Sequence, residues 1–241
     1  MIKADYRIGT KYESGGAGCV STVEDYIKFL EAIRTYKLLK TEYFGAFPEL
    51  EIMMLKKGYN IAHVENDTRW CLDSDTERQG KFCKFLIKEY GFSKKCVPVG
   101  MSCGGMQAVF FAAKYPEYTA ALYLDAPVIN FLSCPACLGK SKIKSMNEFE
   151  HDRKMNLIEL LSFRNHPLDR FSDLAEHKIP IILVSGDSDT IVPFDENGQL
   201  LYDFYKENGG VIELHIKKGG DHHPHGLDDN SPIVNFIVKH Y

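Results

Sequence analysis

The chain has 241 residues, with 29 lysines and arginines against 33 aspartates and glutamates, a net charge of −4, and 44% hydrophobic residues. That length and apolar share suit one compact α/β domain, and the mild acidity, with no long Lys/Arg block, argues against a nucleic-acid surface. No apolar run reaches the ~20 residues of a membrane span, and residues 1–7 hold no apolar signal core, so a soluble cytoplasmic protein without membrane partners is expected.

The first predicted element is a helix that follows the Gly-rich run Glu13-Ser14-Gly15-Gly16-Ala17-Gly18. Ser21 or Thr22 serves as its N-cap, and Glu24 and Asp25 fall in its first turn. Thr35 to Leu39 reads either as a short strand or as a continuation of that helix, and the helix is favoured. Residues 1–42 are thus an atypical, helical N-terminal segment. From there the pattern alternates. Gly45 to Lys57 is a helix, with Pro48 early and Gly58 ending it. Tyr59 to Glu65 reads as a strand. Asp75 to Tyr90 is an amphipathic helix with Phe82, Phe85, Leu86 and Tyr90 on one face, ended by Gly91.

Lys95 to Val99 reads as a buried strand and Gly105 to Lys114 as a helix. Ala120 to Asp125 is a further strand. Residues 127–178 are irregular and polar, with a helix predicted from Met146 to Phe163. Pro180 to Gly186 is a strand, Glu196 to Asn208 a helix, Val211 to Lys217 a strand, and Pro232 to Tyr241 a last helix. Repeated β-α units predict a mostly parallel sheet with helices on both faces.

Gly100-Met101-Ser102-Cys103-Gly104 lies between the strand at 95–99 and the helix at 105–114. A G-x-S-x-G at a strand-to-helix turn is the nucleophile elbow of α/β-hydrolases. Its flanking glycines are expected to avoid collisions of any Cβ with the neighbouring strand or helix. A serine hydroxyl needs a histidine to take its proton and a carboxylate to orient that histidine. Both partners follow in the chain order Ser, Asp, His.

Asp189 lies in Gly186-Asp187-Ser188-Asp189-Thr190-Ile191-Val192-Pro193, just after a strand, and is preferred over Asp187 as the acid. His222 lies in Gly219-Gly220-Asp221-His222-His223-Pro224-His225, after the last strand. Its spacing to the glycines prefers it over His223 as the base, leaving His223 and His225 structural or at the rim. Three histidines so close could also hold a metal, but the loop's place downstream of the elbow and acid loop fits a base better, and no metal is expected. By position, the Cys103 N–H is one oxyanion donor.

The seven cysteines, an odd number without a signal peptide, are expected as free thiols. Cys134-Pro135-Ala136-Cys137 stands alone as a C-x-x-C. It reads as a turn in a surface loop rather than a zinc or redox site.

Residues from about Tyr43 to the C-terminus resemble bacterial α/β-hydrolases of the prolyl-oligopeptidase/acyl-esterase type. The resembling runs are Tyr43 to Glu49, Gly100 to Gly105, Asp125 to Val128, Gly186 to Pro193 and His222 to Leu227. The resemblance implies the α/β-hydrolase fold and a Ser-His-Asp triad of Ser102, His222 and Asp189. It further implies a cofactor-free esterase acting on small acyl or carbohydrate esters. The 127–178 insertion stands where such hydrolases carry a cap, and its Phe131, Leu132, Phe149 and Phe163 either shape the pocket or form the insertion's own core.

The first forty residues depart from that family, and no hydrolase-type opening strands are recognisable. Tyr12 to Leu30 instead resembles a piece of the serine β-lactamase/penicillin-binding-protein class, without its catalytic motif. The change near residues 38–43 suggests a recombined reading frame, which genomic DNA across the junction would test. If the third strand is missing, its neighbours lose their ladder partner and the second oxyanion donor is undefined. Two other functions follow: a prolyl-oligopeptidase-type peptidase, disfavoured because the sequence holds no propeller domain, and a truncated, weak or inactive homologue.

Overall fold

The computed structural model describes residues 48–241. The readings made for residues 1–47, including the N-terminal helix, the alternative at Thr35–Leu39 and the junction near residue 40, lie outside the described residues. The chain divides into two units, residues 1–65 and 66–241.

In the first unit, helix α1 runs Pro48–Lys56. Proline suits a first helical turn because its missing N–H has no intrahelical partner there. Gly58, at φ +87°, ends the helix in the left-handed conformation that a side chain disfavours. The strand expected over Tyr59–Glu65 is not formed: no strand ladder passes through these residues. Asn60, Ile61, Ala62 and His63 are exposed, so the apolar alternation buries no face that would fix a register.

The second unit holds a parallel sheet. Its strands are β1 (Val99–Met101), β2 (Leu122–Asp125), β3 (Ile181–Gly186) and β4 (Ile212–Lys217), side by side in that order. Met101 pairs with Asp125, Asp125 with Val184, and Gly186 with Lys217. The strand ends therefore fall in line along one edge. Every residue of β2 and β3 is buried, as expected for strands covered on both faces.

The ladder of β1 begins later than the sequence suggests. Pro98 has no N–H to donate, so only an isolated bridge between Cys96 and Thr119 and the Pro98 carbonyl, accepting from Tyr123 N–H at 3.1 Å, precede Val99.

The helices of this unit are α2 (Asp73–Tyr90), α3 (Cys103–Lys114), α4 (Met146–Arg153), α5 (Leu157–Ser162), α6 (Phe171–Glu176), α7 (Gly198–Glu207) and α8 (Ser231–His240). One core layer joins Leu122, Leu124, Ile181 and Leu183 of the sheet to Ala108, Val109 and Ala112 of α3, Leu174 of α6, and Leu201 and Tyr205 of α7. At roughly 1.5–3 kcal/mol for each large apolar side chain buried, this layer is a main source of stability. α2 starts at Asp73, two residues earlier than predicted. The Asp75 carboxylate accepts from the N–H of Leu72 and of Asp67, both at 2.8 Å.

The single helix predicted over Met146–Phe163 is two. Lys154, at φ 53°, breaks the run, and Asn156 starts the second helix. Its Oδ1 accepts from the N–H of Ile158 and Glu159, while the Glu159 carboxylate accepts from Asn156 N–H at 2.8 Å. This is a capping box, and its Asn-x-x-Glu pattern is visible in the sequence. Phe131 and Phe149 are fully buried with Trp70, Met106 and Leu160, and Phe163 and Leu132 pack against that cluster. The insertion aromatics thus form core.

Candidate active site

The backbone at Ser102 has φ 50° and ψ −123°, an unfavourable conformation for a residue with a Cβ. Close packing enforces it. A Cβ on Gly100 would lie 2.5 Å from the Gly104 carbonyl oxygen and 2.8 Å from the Gly105 Cα, and a Cβ on Gly105 would overlap Pro127. A Cβ on Gly104 would meet nothing. The expectation that both motif glycines prevent collisions is thereby corrected. Gly100 and Gly105 are the positions of close approach, because Gly104 points away from the neighbouring elements. Ser102 N–H donates to the Asp125 carbonyl at 3.0 Å, and Val128 N–H donates to the Ser102 carbonyl at 2.8 Å.

Each remaining candidate stands just beyond the carboxyl end of a strand, where ligand sites of parallel α/β sheets lie. His222, in the loop after β4, is 5% exposed. Its Nδ1 lies 2.7 Å from Asp189 Oδ2 and its Nε2 3.0 Å from Ser102 Oγ. A carboxylate only accepts, so Nδ1 carries the proton toward Asp189 and Nε2 is left as a base toward the serine hydroxyl. Asp189 Oδ1 accepts from the N–H of Ile191 and Val192, both at 2.8 Å. Burial opposes the Asp189 charge. The hydrogen bonds from His222, Val192 and Ile191 outweigh it and hold the carboxyl below the ordinary aspartate range.

Asp187 is exposed and faces elsewhere. Its Oδ1 accepts from Gly219 N–H at 2.7 Å. His223 and His225 flank His222, with ring centroids 4.8 Å and 5.2 Å from it. The three imidazoles form the one group of possible metal ligands among the described residues, with ligand atoms within 4.8 Å of one another. Both His222 nitrogens already face partners, so a cation bound through it would displace Ser102 or Asp189.

A cavity of about 370 Å³ opens beside Ser102 and His222. Val128, Ile143, Ile191 and Val192 give it apolar walls, and Arg69, Trp70, Cys134 and Ser145 also line it. Trp70 and Arg69 were not picked out from the sequence, though the only tryptophan of the chain, standing just before a helix, is a usable signal for a buried wall. Cys134 likewise departs from the surface-loop reading. The C-x-x-C does form a turn, but Cys134 is 2% exposed and packs in the cluster with Trp70 and Phe131. Burial raises the Cys103 thiol and pushes that of Cys134 up to about 12.

A parallel sheet with a strained serine turn after β1, and the loops of Asp189 and His222 after β3 and β4, is the α/β-hydrolase fold. Solved structures bear this out. The chain superposes on the Pyrococcus furiosus esterase Pf2001 with a TM-score of 0.54 at 19% identity, covering 82% of this chain and 79% of that one. A meta-cleavage product hydrolase gives 0.51 at 16% identity, covering 81% and 87%. A puromycin hydrolase gives 0.52 at 17% identity over 67% of this chain, which spans 23% of that longer protein. No curated protein matches the chain in sequence.

The chain belongs to the prolyl oligopeptidase family, whose model matches residues 73–240. It is accordingly a serine hydrolase of the α/β fold. Among the described residues, no helix is long and apolar enough to cross a membrane.

Proposed function

We propose that the protein hydrolyses small carboxylic esters through a Ser102–His222–Asp189 triad, without a cofactor and without nucleic-acid or membrane partners. The observation that carries this reading is the continuous chain of two hydrogen bonds, from Ser102 Oγ to His222 Nε2 and from His222 Nδ1 to Asp189. Ser102 Oγ attacks the acyl carbon as His222 Nε2 takes its proton. Asp189 holds the ring in the required tautomer and stabilises the imidazolium. Cys103 N–H, in the first turn of α3 and without an intrahelical acceptor, donates to the oxyanion. His222 then protonates the leaving alcohol. Water, deprotonated by the same nitrogen, attacks the acyl-enzyme and releases the acid.

The apolar cavity walls suit the acyl part of the ester, and residues of the 127–178 insertion supply part of them as a cap would. The protein should be labelled covalently by a fluorophosphonate. Labelling that persists unchanged in Ser102→Ala would end the proposal.

The family match favours a second reading, cleavage of a prolyl peptide bond. The same triad would serve either bond. Turnover of a p-nitrophenyl ester against a proline p-nitroanilide separates them, and faster turnover of the amide would favour the peptidase.

A further inference from the structure

Asp125 ends β2, and its side chain is fully buried. The triad does not use it, yet it touches both halves of the site. Through its backbone carbonyl it accepts the Ser102 N–H at 3.0 Å. Through its carboxylate it holds the base loop, with Oδ1 accepting from His225 Nδ1 at 3.0 Å and Oδ2 from Gly226 N–H at 2.6 Å and from Tyr123 Oη at 2.9 Å. His225 lies three residues beyond His222, and the two rings meet edge to face.

The loop from residue 218 to 230 has no helix or strand of its own, so its shape depends on such anchors. On the side preceding His222, Gly219 N–H donates to Asp187 and the Gly220 carbonyl accepts from Ser188 N–H at 3.0 Å. On the following side, the carboxylate of Asp125 ties down residues 225 and 226, and Lys217 Nζ donates to the Pro224 carbonyl at 2.6 Å. His222 sits between these anchors.

We propose that Asp125 and His225 are positioning residues that set the spacing between Ser102 and His222. One residue, Asp125, fixes the nucleophile with its backbone and the base loop with its carboxylate. The serine turn and the base loop are thereby both tied to the same end of β2. A carboxylate accepting three donors inside the protein is also a stiff anchor, since each bond is charge-assisted or made in a low dielectric. Displacing a catalytic group by ~1 Å can cost about 10²-fold in rate. The proposal rests on the triad reading given above.

The test compares the full-length protein with Asp125→Ala, His225→Ala and His225→Asn. The asparagine amide can still donate to Asp125 from near the Nδ1 position. The readouts are kcat and KM on a p-nitrophenyl ester, the rate of fluorophosphonate labelling, and the melting temperature. Asp125→Ala and His225→Ala should lower kcat and labelling rate about 10²-fold, with KM changed by less than about threefold. His225→Asn should recover most of the loss. If Asp125→Ala does not fold, the His225 pair decides. Equal activity in His225→Ala and His225→Asn, or losses that merely track the melting temperature, would overturn the proposal. So would folded alanine variants with kcat and labelling within twofold of the parent, and the triad reading would then survive. A parent protein that is not labelled at Ser102 would overturn the triad reading and this one with it.

Discussion

Asp189 Oδ2 and His222 Nδ1 lie 2.7 Å apart, in a contact from which solvent is almost wholly excluded. Asp189 cannot relax away from that contact, because its other oxygen is held by the N–H groups of Ile191 and Val192. The carboxylate is thus oriented by its own loop before it orients the histidine. Replacing it by asparagine keeps the shape but presents a donor or a neutral acceptor to Nδ1, which favours the wrong tautomer. Asp189→Asn should lower kcat on an ester substrate by about 10⁴-fold with little change in KM. Asp187→Asn, whose carboxylate accepts from Gly219 N–H and Ser188 Oγ rather than from His222, should change kcat less than about tenfold. Steady-state kinetics of the two variants check this, and equal losses would contradict it.

The elbow glycines make unequal demands. Gly105→Ala drives a methyl group into Pro127, where both partners are held by backbone. It should cost about 1–3 kcal/mol, the usual cost of overpacking. Gly104→Ala meets open space and stands inside α3, where alanine is favoured over glycine by about 0.5–1 kcal/mol. Thermal melts should therefore move in opposite directions. A lower melting temperature for Gly104→Ala would show that the turn needs that glycine for a reason other than space.

What was legible in the sequence was what local pattern encodes. Ser102, Asp189 and His222 each follow an apolar strand run and stand among glycines or turn residues, so their neighbourhood announces them one by one. The alternation of elements likewise follows from periodicity and fixes the class of fold. Ladder lengths were not legible, because pairing is decided between segments. Pro98 shortens β1 from one side only, and Tyr59–Glu65 has the composition of a strand without a ladder. The cavity walls combine Arg69, Trp70, Cys134, Ile143 and Ile191, which no window of sequence brings together. Asp125 shows the same limit, since its partner His225 is 100 residues away. The break at Lys154 is different, for the Asn-x-x-Glu capping pattern at Asn156 and Glu159 is a local signal that the reading of one helix over Met146–Phe163 did not use.

That pair permits a direct check. Asn156→Ala removes the acceptor used by Ile158 and Glu159 N–H and should destabilise the protein by about 0.5–2 kcal/mol, whereas Asn156→Asp should hold stability within a few tenths. Urea unfolding midpoints read the difference. Equal midpoints for the alanine and aspartate variants would mean that α5 does not depend on its cap.

The acid limb of stability follows from Asp189. Burial alone would raise its pKa, but the bonds from His222, Val192 and Ile191 bring it below the ordinary 3.8. The unfolded chain then takes up this proton before the folded one does. The contribution is fully present above the unfolded value and is lost as pH falls through the folded value. Asp189→Asn lacks it. The stability gap between parent and variant should shrink steadily as pH falls below about 4. Urea titrations at several pH values measure the gap, and a gap independent of pH down to about 3 would remove Asp189 as its source.

Cys134 offers a chemical test of how closed the cavity wall is. Burial, followed by the neighbouring Cys103 and Cys137, pushes its thiol up to about 12. Only the thiolate alkylates, so at pH 8 a fraction on the order of 10⁻⁴ is reactive even before access is considered. Cys134 is also only 2% exposed and belongs to the buried cluster of Trp70, Phe131 and Phe149, which limits access for a reagent. Iodoacetamide at pH 8 should therefore modify Cys134 at least about 10²-fold more slowly in the native protein than in urea, where the ordinary pKa and access return. Peptide mapping by mass spectrometry follows the site. Alkylation of Cys134 in the native protein as fast as in urea would mean that this wall opens to solvent, and that the cavity beside Ser102 is wider in solution than its 370 Å³.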